Sequence, residues 1–411
     1  MKERIALGLL LCLSLILVSS QSLKANDEIV VVESNSHYEF GRQLSFHLAA
    51  SSASGITQVI LSFRTAGDAT TVERPQFVAG PSVTVDHTYN LQGRHIKPFS
   101  RVEYWWALSD GAGHRLTTEV QTFSYDDNRF TWQSLTGGGV TVYWYQGPEA
   151  FGQAALDVAV GAVPRISADL GVGTPQPIRA FLYGNLSDLE GALPPTGREW
   201  VGGQAYPELG AFAASIPPDD RSLSTMKRVL PHEITHLLVY QAAGGALGHV
   251  PTWLNEGLAT LSQELPDPEA AIILEDALSQ DSLVPLKTLC GPFPLETNEA
   301  RLSYAQSASV VGFIRDHYGR QGLTRLITAY ADGVSCTEGV GVLGVSFDGL
   351  ETQWRASLQP RNKWLVFLEK AGPWLGLWGG SCLMTLLFLE TIPLSIWRRR
   401  REAQKESPTN D

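Results

Sequence analysis

The stretch from Leu230 to Gln241, LPHEITHLLVYQ, constrains the fold more than any other part of the chain. His232 and His236 stand four residues apart, so on an α-helix both imidazoles project from one face and can share one metal ion. Glu233 lies about 100° round the helix from His232, which keeps its carboxylate off the metal but within reach of a metal-bound water. The spacing favours a metal-binding helix over an amphipathic helix that merely carries polar residues.

A catalytic zinc site needs three protein ligands and one open position, so a third ligand must come from elsewhere in the chain. The segment PTWLNEGLAT, residues 251–260, supplies Glu256, twenty positions after His236. HEITH followed at this distance by NEGLA resembles the gluzincin metallopeptidases, which include thermolysin-like enzymes, membrane alanyl-type aminopeptidases and peptidase MA-like proteins. WLNEGLAT is most similar to the aminopeptidase form of the second motif.

Carried over position by position, the resemblance implies that His232, His236 and Glu256 bind one Zn²⁺ per chain. It also implies that Glu233 is the catalytic acid/base. Tyr304 is singled out by the resemblance and by its position on a helix after the second motif. Its role would be to stabilise the oxyanion, and a core tyrosine is the alternative.

Two positions depart from the family pattern. Thermolysin-like proteins often carry an acid four places after the glutamate ligand, where this chain has Thr260, which leaves Asn255 as a substitute partner for a histidine. Pro231, just before His232, must either start the helix or kink it. His249 and His317 are candidate substrate-side donors, with structural roles as the alternative.

The segment WVGGQAYPELGAFAAS, residues 200–215, lies where gluzincins place the edge strand that pairs with an extended substrate. Residues 211–215 are expected to supply that edge. The G-x-M-E-N signature with which aminopeptidases hold a free α-amino group is missing. Glu208 is the one acid near the expected strand, and it follows Pro207 in a predicted turn. These features favour internal cleavage over N-terminal trimming.

The fold class predicted for the chain is multidomain. Short alternating strands over 28–126 indicate an all-β sandwich of immunoglobulin or fibronectin type. Strands followed by helices over 128–358 indicate an α+β gluzincin-like metallopeptidase domain, whose last helix is predicted from Ser346 to Leu358 with Ser346 or Asp348 as its cap. One C-terminal transmembrane helix is expected to follow.

Both ends of the chain carry targeting signals. Residues 1–25 have the basic start and short apolar run of a signal peptide, with an uncleaved anchor as the alternative. Residues 371–397 have the length of a membrane span, and the arginines that open the tail 398–411 are expected to stay cytoplasmic. A buried C-terminal helix is the alternative, because Glu390 and Pro393 suit lipid poorly. The catalytic domain is thus expected outside the cell membrane.

The formal net charge of −11 and pI near 5.3 argue against a nucleic-acid partner, which requires a basic face. Cys290 and Cys336 are the two cysteines of the predicted exported part, and they either pair or stay free. The sequence therefore predicts a membrane-anchored zinc metallopeptidase, an endopeptidase acting on peptides or proteins. The alternatives are an inactive gluzincin-like surface binding module and a zinc hydrolase acting on a non-peptide substrate.

Overall fold

The computed structural model describes residues 28–193, 202–294, 296–358 and 396–402, together with the single positions 381, 384, 385 and 387. The predicted signal peptide and most of the predicted membrane span lie outside these residues. Within the described ranges, no helix has both the length and the apolar character that a membrane crossing requires.

The first part of the chain is all β, and its strands pair only in antiparallel fashion. The seven strands are β1 (Val30–Glu39), β2 (Gln43–Thr65), β3 (Thr71–Glu73), β4 (Gly80–Asn90), β5 (Ser100–Asp110), β6 (Arg115–Thr117) and β7 (Gln121–Tyr125). The first half of β2 pairs with β1 and β4, and its second half pairs with β3 and β5. The register shifts between Ser51 and Ile56, where β2 changes partners.

The two halves of β2 belong to two layers that face each other. Phe46 and Phe63 are 17 residues apart on this one strand, which would separate them by roughly 55 Å if the strand were straight. Their ring centroids are only 5.4 Å apart, and Phe46 also contacts Tyr104 of β5 at 5.2 Å. Alternate residues of β2 are buried, as a strand with one core-facing side requires. The predicted all-β character is therefore confirmed, with the sheet folded so that the two halves of β2 face each other, and the immunoglobulin or fibronectin type stays a prediction.

A second sheet of five strands follows in the order β11-β12-β10-β9-β8. Its strands are β8 (Gln133–Gly137), β9 (Val140–Trp144), β10 (Ile178–Tyr183), β11 (Gly203–Tyr206) and β12 (Ala211–Ser215). The central pairs β9–β10 and β10–β12 are parallel, whereas β8 and β11 pair in antiparallel fashion at the two edges.

The prediction that residues 211–215 form the edge of the sheet is wrong by one strand. Residues 211–215 form β12, which pairs with β10 on one side and β11 on the other, so β11 is the edge. Four of the five β12 residues are buried, and such a continuous apolar run is typical of an interior strand. The edge strand β11 is less buried and carries Gln204 and Ala205 at partly exposed positions.

Helices lie between the strands of this sheet and follow it. They are α1 (Glu149–Leu170), α2 (Leu186–Glu190), α3 (Ser222–Ala242), α4 (Thr252–Leu261), α5 (Pro268–Ser279), α6 (Thr297–Ala331), α7 (Cys336–Gly339) and α8 (Phe347–Ser357). The long helix α6 is interrupted at Gly319, where φ is 68°. Ser346 caps α8, since its side chain accepts a hydrogen bond from Gly349 N, which agrees with one of the two predicted caps.

Cys290 and Cys336 form a disulfide, which decides between the two alternatives that the sequence leaves open. The bond joins the 3-10 turn Thr288–Cys290, ahead of α6, to the start of α7, after α6. It closes a loop of 46 residues that contains the whole of α6.

Candidate active site

Helix α3 carries the HEITH motif, and Pro231 lies in its interior rather than at its start. A proline has no N–H to donate to the carbonyl four residues earlier, which here is that of Lys227. Glu264 N donates to Lys227 O instead, at 2.9 Å. The helix continues through Pro231, and the carbonyl that the proline leaves open ties the segment after α4 to α3.

His232, His236 and Glu256 come together where α3 meets α4. Glu256 Oε2 lies 3.5 Å from His232 Nε2 and 3.6 Å from His236 Nε2, and the ligand atoms of all three residues lie within 4.8 Å of one another. Two donor atoms bound to one zinc at about 2.0–2.1 Å in tetrahedral geometry are about 3.3–3.4 Å apart. The donor set and its spacing therefore fit a zinc ion.

The far side of the His236 imidazole is held by Asn255. His236 Nδ1 lies 3.1 Å from Asn255 Oδ1, an oxygen that can only accept, so Nδ1 carries the proton and donates. This tautomer leaves the Nε2 lone pair for a metal. Asn255 thus takes the partner role that the sequence suggested for it.

Gln263 makes the corresponding contact to His232, and sequence reasoning missed it. Gln263 Nε2 lies 3.3 Å from His232 Nδ1, while Gln263 Oε1 is buried and has no hydrogen-bond partner among the described residues. Rotating the amide by 180° exchanges these two atoms and lets Oε1 accept from Nδ1–H, which satisfies both groups. Thr260 Oγ1, at the family's usual position for an acid, is buried without a hydrogen bond to the described residues.

Glu233 is buried, with 5% of its surface exposed, and stands beside the ligand cluster. Loss of water raises the pKa of Glu233 to about 7, with His236 opposing the rise and the Glu256 carboxylate adding to it. A cation at the ligand cluster would act in the direction of His236 and favour the carboxylate. A carboxyl group poised near neutral pH can both accept and return a proton.

A cleft of about 300 Å³ opens in front of these groups. Tyr304 of α6 lines it, and its ring centroid is 6.4 Å from that of His232. Edge strand β11 forms the opposite wall. The lining residues are Leu193, Gly203, Gln204, Ala205, Pro207, His232, Glu233, His236, Leu247, Asn255, Glu256 and Tyr304.

Three other candidates lie away from this cleft. His249 Nδ1 is 3.3 Å from Ala331 O, and His317 Nδ1 is 2.9 Å from Phe313 O in a stacked pair with the Phe313 ring. Glu208 lies in a 3-10 turn and accepts a hydrogen bond from Lys97 Nζ at 2.8 Å, on the β-sandwich side. The two histidines therefore make local contacts and are not among the residues that line the cleft, and their substrate-side roles stay predictions.

The comparisons with solved structures give low scores. A zinc metallopeptidase of the M1 family from Deinococcus radiodurans is 12% identical, covers 76% of this chain and 89% of its own, and has a TM-score of 0.34. An aminopeptidase N family protein from Idiomarina loihiensis is 9% identical, with coverages of 81% and 74% and a TM-score of 0.31. Scores this low carry no argument about the fold. No curated protein sequence matches the chain.

The family comparison is specific to the part of the chain that holds the site. Residues 158–360 match the model of the Peptidase MA superfamily. The matched segment contains α3 with HEITH, Glu256 with its surrounding motif, and Tyr304. Over residues 158–360, the chain is therefore similar to the Peptidase MA superfamily.

Proposed function

We propose that this protein is a zinc-dependent peptidase. The observation that carries the proposal is the convergence of His232, His236 and Glu256 within bonding range of one ion, with the buried Glu233 carboxyl beside them. These three residues would hold one zinc ion per chain. When bound, the ion supplies a Lewis acid that polarises the scissile carbonyl and acidifies the attacking water.

Glu233 moves the protons in this reaction. Its carboxylate accepts a proton from the water as the oxygen attacks the carbonyl carbon, and the carboxyl group then returns that proton to the leaving amine. Burial supports the role because it raises the pKa of Glu233 and so makes its carboxylate a stronger base than an exposed one. Tyr304, which lines the cleft, directs its hydroxyl toward the oxyanion in the proposed arrangement.

An extended substrate would bind along β11, whose outer edge has no strand partner among the described residues. Backbone groups on that edge can pair with a peptide in antiparallel fashion and hold its scissile bond over the ligand cluster. Gln204 and Ala205 line the cleft at this edge. Such pairing uses the backbone of the substrate and not its side chains. It therefore favours a peptide, because a small ester has no extended backbone to pair with β11.

Internal cleavage is the proposed mode. Of the described residues that line the cleft, the acids are Glu233 and Glu256, and both have roles in catalysis or metal binding. Glu208 pairs with Lys97 of the β-sandwich instead of facing the cleft. A substrate ammonium bound beside the zinc would lack an anionic partner here, and burying an unpaired charge is costly. Equal cleavage of N-terminally acetylated and free peptides, read by mass spectrometry, is the expected result.

We place the catalytic domain outside the membrane, with residues 371–397 as the anchor and 398–411 in the cytoplasm. The Cys290–Cys336 disulfide supports export, since such bonds persist mainly in oxidising compartments. Protease treatment of intact cells should release the domain while a reporter fused at Asp411 stays protected. Digestion of that reporter from outside would contradict the orientation.

The decisive experiment combines metal analysis with one substitution. The zinc-loaded full chain should cleave denatured proteins, and a chelator should abolish the cleavage. Glu233→Gln should retain zinc and lose roughly 10²-fold or more in turnover, because it keeps the side chain's shape and removes the base. The double variant His232→Ala, His236→Ala serves as the control and should lose the zinc itself. Near-normal turnover in Glu233→Gln would refute the mechanism.

A further inference from the structure

The carboxyl group of Glu233 packs directly against the backbone of Gly203, the first residue of β11. A β-carbon added at Gly203 would lie within van der Waals overlap of three side-chain atoms of Glu233: 2.4 Å from Oε1, 2.8 Å from Cδ and 3.1 Å from Cγ. All three distances are shorter than an ordinary contact. Only a residue without a side chain leaves the carboxyl group where it is.

Backbone conformation does not explain the glycine. Gly203 is not among the residues with positive φ, so an L-residue can adopt its conformation without strain. It pairs with Ala214 of β12 in a regular antiparallel register. The feature that requires glycine at this position is therefore the space taken by Glu233.

We propose that Gly203 is a positioning residue for the general base: its missing side chain sets the place of the Glu233 carboxyl group above the ligand cluster. The inference rests on the proposed peptidase function, in which that carboxyl group handles the proton. The edge strand then has two tasks, since the strand proposed to bind the substrate also fixes the base that acts on it.

Gly257 differs from Gly203, because an added β-carbon at Gly257 would meet backbone atoms. A β-carbon there would lie 2.6 Å from Ser307 O and 2.8 Å from Ser307 C, which are backbone atoms of α6. An alanine at Gly257 must push two helices apart. The three atoms nearest to an added β-carbon at Gly203 all belong to the flexible Glu233 side chain, so we expect the carboxyl group to move and the fold to be spared.

The test is Gly203→Ala in the zinc-loaded full chain. Zinc content and melting temperature should match those of the parent, while kcat falls about 10- to 100-fold, as expected when a catalytic group is displaced by roughly 1 Å. KM should change much less than kcat, because the strand keeps its place. Gly202→Ala is the matched control: a β-carbon there meets no described residue within 4 Å, and kcat should stay within about twofold of the parent.

A double-variant cycle separates the proposed contact from a general effect on the strand. Glu233→Asp shortens the side chain by one methylene and withdraws the carboxyl group from Gly203. In that background Gly203→Ala should cost less than about threefold in kcat, although it costs 10-fold or more alone. An equal loss in both backgrounds would overturn the proposal, because the alanine would then act independently of the Glu233 carboxyl group.

A readout without turnover keeps the proposal testable if no peptidase activity is found. A crystal structure of Gly203→Ala should show the Glu233 carboxyl group displaced and β11 in its original register. Displacement of β11 with an unmoved carboxyl group would refute the positioning role. An inactive parent chain with the expected displacement would refute the proposed function alone, so the two failures are distinguishable.

Discussion

Gln263 is expected to have a measurable effect on zinc affinity. With the Gln263 amide rotated as described above, Oε1 in place of Nε2 faces His232 Nδ1 and accepts from its N–H, which fixes the ring and makes Nε2 a better ligand. Gln263→Leu keeps the bulk and removes the acceptor, so zinc affinity should fall 10- to 100-fold, as measured by competition with a chelator of known affinity.

The matched control at this position is Gln263→Glu. A carboxylate also accepts from Nδ1–H, so this variant should hold zinc at least as tightly as the parent. Unchanged affinity in Gln263→Leu would show that the His232 ring is held by packing alone.

At the scale of single residues, the sequence predicts the site residues that lie on one helix. It misses the site residue whose contact depends on how two separate segments pack. His232, His236 and Glu233 follow from the repeat of one helix, and Asn255 is adjacent to the proposed ligand Glu256, so the sequence already predicts its proximity. Gln263 lies 31 residues from His232, and its contact depends on how the chain leaves α4. No periodicity encodes that path.

At the scale of elements, Pro231 helps to hold the segment that follows α4, because it leaves Lys227 O open for Glu264 N. A substitution at Pro231 tests this role. Pro231→Ala supplies an N–H for Lys227 O, the acceptor that Glu264 N now uses. Helix α3 should not be weakened, since alanine is the best helix former and interior proline the poorest. The segment 262–264 should loosen, and zinc affinity should fall although the helix is intact.

Hydrogen exchange provides the measurement for this prediction. The Glu264 amide should exchange faster in Pro231→Ala than in the parent, while amides of α3 remain protected. Lys227→Ala is the control, because it alters the side chain and keeps the carbonyl. Unchanged protection of the Glu264 amide would mean that other contacts, such as that of Arg165 Nη2 with Ser262 O at 2.8 Å, suffice to hold the segment.

Elements themselves were foreseeable where pattern and length agree. The predicted last helix, Ser346 to Leu358, agrees with α8, which runs from Phe347 to Ser357 with Ser346 and Leu358 as its caps. The edge strand of the sheet could not be predicted in this way. Periodicity shows which residues are buried, but it does not show the order of the strands in the sheet. Within β2 the buried positions change from even-numbered residues up to Ser52 to odd-numbered residues from Val59, around the register shift where the strand changes partners.

At the scale of the molecule, the β-sandwich and the five-stranded sheet β8–β12 share one hydrophobic core. Phe99 of the sandwich stacks on Phe181 of β10 with centroids 3.9 Å apart, and Arg179 Nη2 donates to Phe99 O at 2.7 Å. Phe99 has a φ of 66°, which is unfavourable for a bulky residue and persists only where the surroundings enforce it. Phe99 also contacts Tyr206, the last residue of β11, at 5.8 Å. The sandwich therefore supports the strand proposed to bind substrate.

This shared core predicts that the sandwich and the zinc site unfold together. Phe46 contacts only sandwich aromatics in its ring stacking, and Phe46→Ala should cost about 3–5 kcal/mol by leaving a cavity in that half. In one cooperative unit, the temperature at which zinc is released must fall along with the temperature at which the sandwich melts. Parallel heating curves of zinc release and near-ultraviolet circular dichroism measure both temperatures.

The control is Val72→Ala, at a half-exposed position of the same domain, which should leave both temperatures nearly unchanged. If Phe46→Ala melted the sandwich while zinc stayed bound to its original temperature, the two halves would be independent, and the contacts of Phe99 would not be what holds β11 beside the metal ligands.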